Sequence, residues 1–378
     1  MGRYVNPGNK AFRRICGSNY VDKTNLISKL NQKIGGDDSL VCVSRPRRFG
    51  KSYAAQMLMA YYDCSCDSHE LFDHMLVAQS EGYRQHLNHY NVICLDIAGF
   101  ISEVRAHLGP MKSIPDRIEK ALWKDLVESG FQPHEGDTLC DFLTRIVHQK
   151  EGKPFVFIID EWDAVMREAK DDPDAQAAYL TLLRGWFKNL NFTPEVVAAA
   201  YMTGILPIKK DGTQSAISAF DESSMLDPLE FAEFVGFTED EVKARCRAYD
   251  VDFEEIKAWY DGYKLPVVGS VYNPFSVMKA LKSGKCRSYW RKTSAAESLK
   301  SYINLDFSGL QETVARLIAG DRVPVHVEYF QNNFDSFKSA DDVLTLLIHL
   351  GYLSYDEAEK MVRIPNEEVR IEFRQFLL

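Results

Sequence analysis

An α/β fold with a parallel sheet at its centre is what this 378-residue sequence predicts, on two observations. First, Leu40-Val41-Cys42-Val43-Ser44 is a short apolar, β-branched run that turns into Gly50-Lys51-Ser52, after which Tyr53-Ala54-Ala55-Gln56-Met57-Leu58-Met59-Ala60-Tyr61 reads as a helix. Second, Pro154-Phe155-Val156-Phe157-Ile158-Ile159 is an apolar run, too short to span a membrane, that ends in Asp160-Glu161. A run of that form reads as a buried parallel strand, and ligands of such sheets bind just beyond the strand ends.

Strand, loop and helix with Gly-Lys-Ser at the helix start are the parts of a P-loop. Backbone N–H groups of the loop and first helical turn surround phosphates, Lys reaches the outer phosphates, and Ser holds Mg²⁺. Gly50 lets the backbone come close, Lys51 offsets charge and Ser52 supplies a hard oxygen. A bare Gly-Lys-Ser is a weak signal. Here the usual first glycine, five residues earlier, is Arg45, and Pro46 follows it, so the ordinary glycine-start geometry is not expected. The acidic strand supplies the second half. Asp160 is expected to hold the Mg²⁺ shell and Glu161 to polarise the attacking water. In the alternative reading these two acids merely begin the next helix as solvated N-terminal carboxylates.

Further blocks follow in order: Tyr20-Val21-Asp22-Lys23-Thr24, then Arg45-Pro46-Arg47-Arg48-Phe49-Gly50-Lys51-Ser52, Leu71-Phe72, Ile159-Asp160-Glu161-Trp162-Asp163 and Thr203-Gly204-Ile205-Leu206. After them come Gly236-Phe237-Thr238, Trp259-Tyr260-Asp261-Gly262-Tyr263, Tyr272-Asn273-Pro274-Phe275-Ser276 and Tyr289-Trp290. In that order they resemble the predicted AAA-ATPase-like family of bacterial proteins, itself similar to the archaeal-type and STAND groups of P-loop ATPases. The blocks span nearly the whole chain, and the Arg-Pro-Arg-Arg-Phe-Gly-Lys block is specific to the family, so Arg45 departs only from the general P-loop pattern. The resemblance implies ATP and Mg²⁺ as cofactors, with nucleotide contacts from Arg45, Pro46, Arg47, Arg48, Phe49, Gly50, Lys51, Ser52 and Tyr53. Lys51 and Glu161 are the expected catalytic residues, and Ser52 and Asp160 the expected metal ligands. Many members carry a C-terminal domain resembling PD-(D/E)XK nucleases. This sequence ends at Leu378, with no Asp followed by Glu-x-Lys on a strand pattern, so nuclease activity is not expected of these residues.

Taken in order, the segment from Tyr4 to Lys33 places Leu26, Ile27 and Leu30 on one helical face, with Asp22 or Thr24 as its cap. By resemblance Tyr20 to Lys23 lie near the nucleotide. The other reading is a docking segment that covers the sheet. Arg45, Arg47 and Arg48 present three guanidiniums suited to phosphate oxygens; the alternative is that some pair with acids and only shape the loop. Phe49 reads as packing. Tyr90 to Ile97 is a second strand, ahead of the acidic one. That order points to the ASCE branch of P-loop NTPases, and by analogy to a sheet order 5-1-4-3-2. Asp96, at its end, reads as a site residue or as a solvated one.

Ile118, Leu122, Leu126 and Val127, then Leu139, Phe142, Leu143, Ile146 and Val147, recur at helical spacing. Met166 to Asn189 reads as a core-facing helix with Leu190 at its end, and Arg184 on it as an arginine finger or a surface ion pair. Val196 to Gly204 is the next buried strand. Its Thr203 either senses the γ-phosphate or is bonded to backbone. Ser223 to Leu229 is expected as the fifth strand. Thr238-Glu239-Asp240-Glu241 is a capping box. Residues 231–295 read as a small helical lid, and residues 296–378 as helices, including Leu299 to Ile303 and Leu310 to Ala319, ending in a winged-helix-like unit. The expected domains are therefore 1–230, 231–295 and 296–378.

The length allows two or three domains. A net charge of −9 argues against a wholesale electrostatic grip on nucleic acid, and acids around the winged-helix-like unit favour a packing or regulatory role over DNA reading. Eight cysteines do not form a disulfide framework, and Cys64-x-Cys66 with His69 and His74 is too tight for an ordinary zinc site. No charged-then-apolar leader begins the chain, and its longest apolar stretch, around Val196 to Ile208, is too short for a bilayer. The reading is a cytoplasmic protein with a nucleotide ligand, no membrane, and a protein partner or a nuclease-like domain outside these residues as further candidates.

Overall fold

The computed structural model describes residues 2–208, 217–290, 307, 309–328, 330, 337 and 339–374. The expected helix Leu299 to Ile303 lies outside the described residues. The chain divides into two compact units, one of residues 1–43, 51–204 and 208–222, the other of residues 44–50, 205–207 and 223–378. The second takes in both the segment expected as a lid and the segment expected as a C-terminal domain.

A five-stranded sheet organises the first unit: β1 (Leu40–Ser44), β2 (Asn91–Asp96), β3 (Phe155–Asp160), β4 (Val197–Gly204) and β5 (Asp221–Ser223). The spatial order is β2-β3-β4-β1-β5, which from the other edge is the expected 5-1-4-3-2. β2, β3 and β4 run parallel, with Asp96 opposite Asp160. β1 and β4 are buried along their whole length, which is why their sequences are unbroken apolar runs rather than alternating ones. The fifth strand lies upstream of the expected Ser223 to Leu229. Ser224 prevents continuation: its Oγ accepts from the N–H groups of Leu226 and Asp227 at 3.2 Å each, so these residues turn back.

Helices complete the core. Lys51–Tyr62 is buried nearly all round. Ile114–Glu128 and Leu139–Val147 contribute Ile118, Leu122, Leu126, Leu139, Phe142, Leu143 and Ile146 to a cluster with Ile93, Phe155, Phe157 and Ile159. Val127 is the exception at 40% exposure. The single helix expected over Met166 to Asn189 is two, Ala164–Glu168 and Pro173–Phe187. Pro173 forbids an uninterrupted helix, and Asp172 instead caps the second by accepting from the Ala175 N–H at 3.0 Å. Leu190, beyond its end, is exposed rather than core.

The N-terminal segment docks onto this unit. Val5 bridges Ile93. The Asp22 carboxylate accepts from the Thr24 N–H and hydroxyl and from the Leu76 N–H. Thr24 starts the helix Asn25–Asn31 without a side-chain cap, because its hydroxyl instead meets the Val77 N–H at 3.0 Å.

The second unit contains two small three-stranded sheets. β6 (Phe237–Thr238), β7 (Tyr263–Leu265) and β8 (Gly269–Tyr272) are arranged β6-β8-β7, all antiparallel. The expected helical lid therefore carries a sheet. Its helices are Glu239–Tyr249, opened by the expected Thr238/Glu241 capping box, Phe253–Tyr260 and Pro274–Ser283. β9 (Val323–Pro324), β10 (Ser354–Asp356) and β11 (Met361–Arg363) form the second sheet, β10-β11-β9, with the helix Leu310–Ala319 before β9 and the helix Ala340–Leu350 between β9 and β10. The terminal helix Glu367–Arg374 is pinned by Glu368, which accepts from the Ser276 hydroxyl and the Tyr289 N–H, and by Glu372, which accepts from the Ser288 hydroxyl. Among the described residues no helix is long and apolar enough to cross a membrane.

Candidate functional site

In the first unit, helix Lys51–Tyr62 starts with the two side chains expected to meet phosphate and metal. Its first N–H groups have no partner within the helix, as at any helix start. Ser52 is exposed on that turn and Lys51 is buried. Burial pushes the Lys51 ammonium down to about 8, against the pull of Asp163, Asp160 and Glu161, in that order. Lysine and acids, far apart in sequence, are thus brought into one cluster. Gly50, which precedes Lys51, has a φ of +96°, and a Cβ built there meets nothing within 4 Å. Its backbone is open to a ligand in a conformation that favours glycine.

Behind the acids stands Thr203. It is fully buried, its hydroxyl donates to Asp160 Oδ1, and its Oγ1 accepts from the Glu161 N–H at 3.2 Å. Its side chain thus joins the Asp160 carboxylate to the Glu161 backbone. Glu161 has a φ of +53°, left-handed for a residue with a Cβ. Such a backbone costs about 1–3 kcal/mol and persists where the surroundings enforce it. Here they do: the Trp162 N–H is bonded to Thr203 O at 2.8 Å.

Two residues of the cluster were given no role by sequence reasoning. Asp163 has a fully buried side chain, and Arg167 is only 9% exposed. Arg167 Nε reaches Asp163 Oδ2 at 3.0 Å and Nη2 reaches Glu161 Oε2 at 2.8 Å. Burial lowers the Arg167 pKa, but Asp163 and Glu161 outweigh it and hold the guanidinium above its ordinary value. The signal for this pair was an Asp and an Arg four apart on one helix face. Asp96 caps the helix Ile97–Ala106 by accepting from the Gly99 N–H at 3.1 Å, and burial raises its pKa with help from Asp160 and Glu161. The acids Asp96, Asp160, Glu161 and Asp163 outnumber the cations Lys51 and Arg167, so the cluster carries surplus negative charge. Ser52 adds a hard oxygen of the kind a divalent cation takes, while among the described residues no group of three or more His, Cys, Asp or Glu is arranged to hold a metal ion by itself.

The remaining expected residues divide. Tyr20 donates to Met57 Sδ at 3.1 Å and belongs to the docked N-terminal segment. Tyr53 is half exposed and Arg184 is exposed, the latter without an ion-pair partner among the described residues. In the second unit, Arg45 is fully buried and donates to Ser44 O, Ser223 O and Ser223 Oγ at 2.9–3.0 Å. These partners are serine and backbone, not an acid. Arg48, at a φ of +70°, stacks over the Phe275 ring at 4.1 Å and donates to Tyr289 O at 3.1 Å. Phe49 packs edge-on against Tyr263, as its packing reading requires. Arg47 O accepts from Asn273 Nδ2 at 3.4 Å, and Pro46 lies against Gly351.

Known proteins show likeness at several levels. The uncharacterized protein in the vnfD 5' region of Azotobacter chroococcum mcd 1 is 22% identical over 370 residues, which cover 95% of this chain. The chain spans 66% of the length of that curated relative. Among solved structures, the Walker-type ATPase PABY2304 of Pyrococcus abyssi is 12% identical, with a TM-score of 0.43 and coverage of 94% of this chain and 96% of that one. The Aeropyrum pernix ORC2 protein in its ADPNP-ADP complexes is 11% identical, with a TM-score of 0.40 and coverage of 97% of both. The family described as Predicted AAA-ATPase matches over residues 8–214, more than half of the sequence. The chain belongs to that predicted AAA-ATPase family.

Proposed function

We propose that this chain binds ATP with Mg²⁺ and hydrolyses it to drive a conformational switch. The observation that carries the reading is the buried Lys51 ammonium among Asp160, Glu161 and Asp163 at the end of β3. Lys51 holds the outer phosphates, and the N–H groups of the first turn of helix Lys51–Tyr62 face them. Ser52 and Asp160 would hold Mg²⁺, which would supply charge neutralisation to the phosphate oxygens. Thr203 keeps Asp160 aimed. Glu161 takes a proton from water as the water oxygen bonds to the γ-phosphorus and the bond from phosphorus to the leaving diphosphate breaks. The proposed division of labour is a catalytic core in 1–230, a lid in 231–295 and a winged-helix-like unit in 296–378.

The test is purified protein with two substitutions. Lys51→Ala should lose ATP affinity or turnover, and Glu161→Gln should keep binding while turnover falls by about 10²–10⁴. Unchanged turnover in both sinks the assignment. One observation favours a second reading, a slowly hydrolysing nucleotide switch that acts on a protein or DNA partner: Glu161 is already occupied by Arg167. Tight binding with slow turnover, and an oligomer size that differs between ADP and ATP, would select it.

A further inference from the structure

We propose that Arg167 is a latch on Glu161, holding its carboxylate in an ion pair that opens before Glu161 accepts a proton from water. The inference rests on the hydrolytic reading above and deepens it.

Arg167 bridges two acids that are not equivalent. Asp163 is fully buried at its side chain, whereas Glu161 is 37% exposed. Breaking the inner pair would strand a buried charge, which is strongly unfavourable. The outer pair is reached by water and is correspondingly weak. Any rearrangement therefore releases Glu161 and leaves Arg167 with Asp163. The Glu161 backbone is already fixed, since its N–H is held by Thr203 Oγ1 at 3.2 Å, so release needs side-chain rotation alone.

Ligand binding supplies the drive. Among the acids, Asp163 acts most strongly on the Lys51 ammonium. A phosphate that draws Lys51 toward itself leaves Asp163 more dependent on Arg167. The guanidinium is then pulled inward, away from Glu161. Arg167 is accordingly a positioning residue that acts through Glu161 and Asp163.

Arg167→Lys separates the two contacts, because an ammonium is a point charge without the guanidinium fork. It stays with the buried Asp163 and no longer bridges to Glu161. The expected result is a kcat at saturating ATP and Mg²⁺ raised at least about threefold, with affinity for a fluorescent ATP analogue within about twofold of wild type. A folded variant with unchanged or lower kcat overturns the latch. For a variant that does not fold, a crystal structure of the wild type with a non-hydrolysable ATP analogue decides. Glu161 and Arg167 should then lie more than about 4 Å apart, beyond ion-pair range, with Arg167 and Asp163 still paired. Retention of the 2.8 Å contact overturns the proposal. Turnover that survives Glu161→Gln, or a protein that binds no nucleotide, overturns the hydrolytic reading and the latch together. Turnover abolished by Glu161→Gln but not raised by Arg167→Lys sinks the latch alone.

Discussion

Replacing Glu368 by Gln should stabilise the second unit at neutral pH and leave it unchanged in acid. Glu368 is 1% exposed, and one oxygen, Oε1, takes both of its donors, the Ser276 hydroxyl at 2.9 Å and the Tyr289 N–H at 2.8 Å. Burial pushes its pKa up from 4.5 to about 7; Glu372 adds to the rise, while the two hydrogen bonds and Arg48 oppose it. Between those values the folded chain keeps a proton that the unfolded chain has released. The stabilising contribution is therefore complete below the unfolded value and is lost as pH rises through the folded one. A shift of about 2.5 units at 1.36 kcal/mol each amounts to roughly 3 kcal/mol. In Glu368→Gln the amide oxygen can replace Oε1, and the NH₂ group takes the place of the protonated oxygen, so the variant carries no charge to bury.

His349 gives the opposite slope. Burial, reinforced by Arg45, pushes its pKa down to about 3, so the unfolded chain binds the extra proton and stability rises with pH from about 3 to 6.5. The two slopes oppose one another in wild type between about pH 4.5 and 6.5, and the His349 slope alone remains in the variant. Urea denaturation at about pH 4.5, 5.5, 6.5 and 8 reads the difference. It should grow from near zero to at most about 3 kcal/mol in favour of the variant. Equal stabilities at about pH 8, or a loss of the same size at every pH, would refute the reasoning.

Two further outcomes are expected. Thr203→Val keeps the shape but removes the hydroxyl behind Asp160, so the Mg²⁺ concentration needed for half-maximal turnover should rise by about 10–100-fold; a magnesium titration checks this, and an unchanged midpoint counts against the site. Gly262→Ala should destabilise the second unit by about 2–4 kcal/mol, since a Cβ there would lie 1.9 Å from Pro365 O at a φ of +126°. An unaltered melting temperature would contradict that.

What the sequence made legible follows from how each element is buried. β1, β3 and β4 are enclosed and so spell continuous apolar runs, and the intervening strand pointed to the ASCE branch, by analogy with which their order was expected. Capping chemistry was equally plain at Thr238 and Glu241. β5 was misplaced because Asp221-Glu222-Ser223 has no apolar signal and owes its pairing to neighbours distant in sequence. β6, β7 and β8, at two to four residues each, are too short for any periodicity to register. The site was half legible. Lys51, Ser52, Asp160 and Glu161 follow from motif chemistry, but the fork of Arg167 across two acids depends on the turn after β3. The Arg45 contact with Ser223 could not be read from the sequence, because the two lie 178 residues apart.

The left-handed backbone at Glu161 makes that position an unusual one for drift. Asparagine or glycine would settle there with less conformational penalty than the native residue, so a mutation that removes the proposed proton acceptor need not harm folding and should be recovered in high yield. Expression level and heat resistance are thus poor guides to competence among variants at this one place.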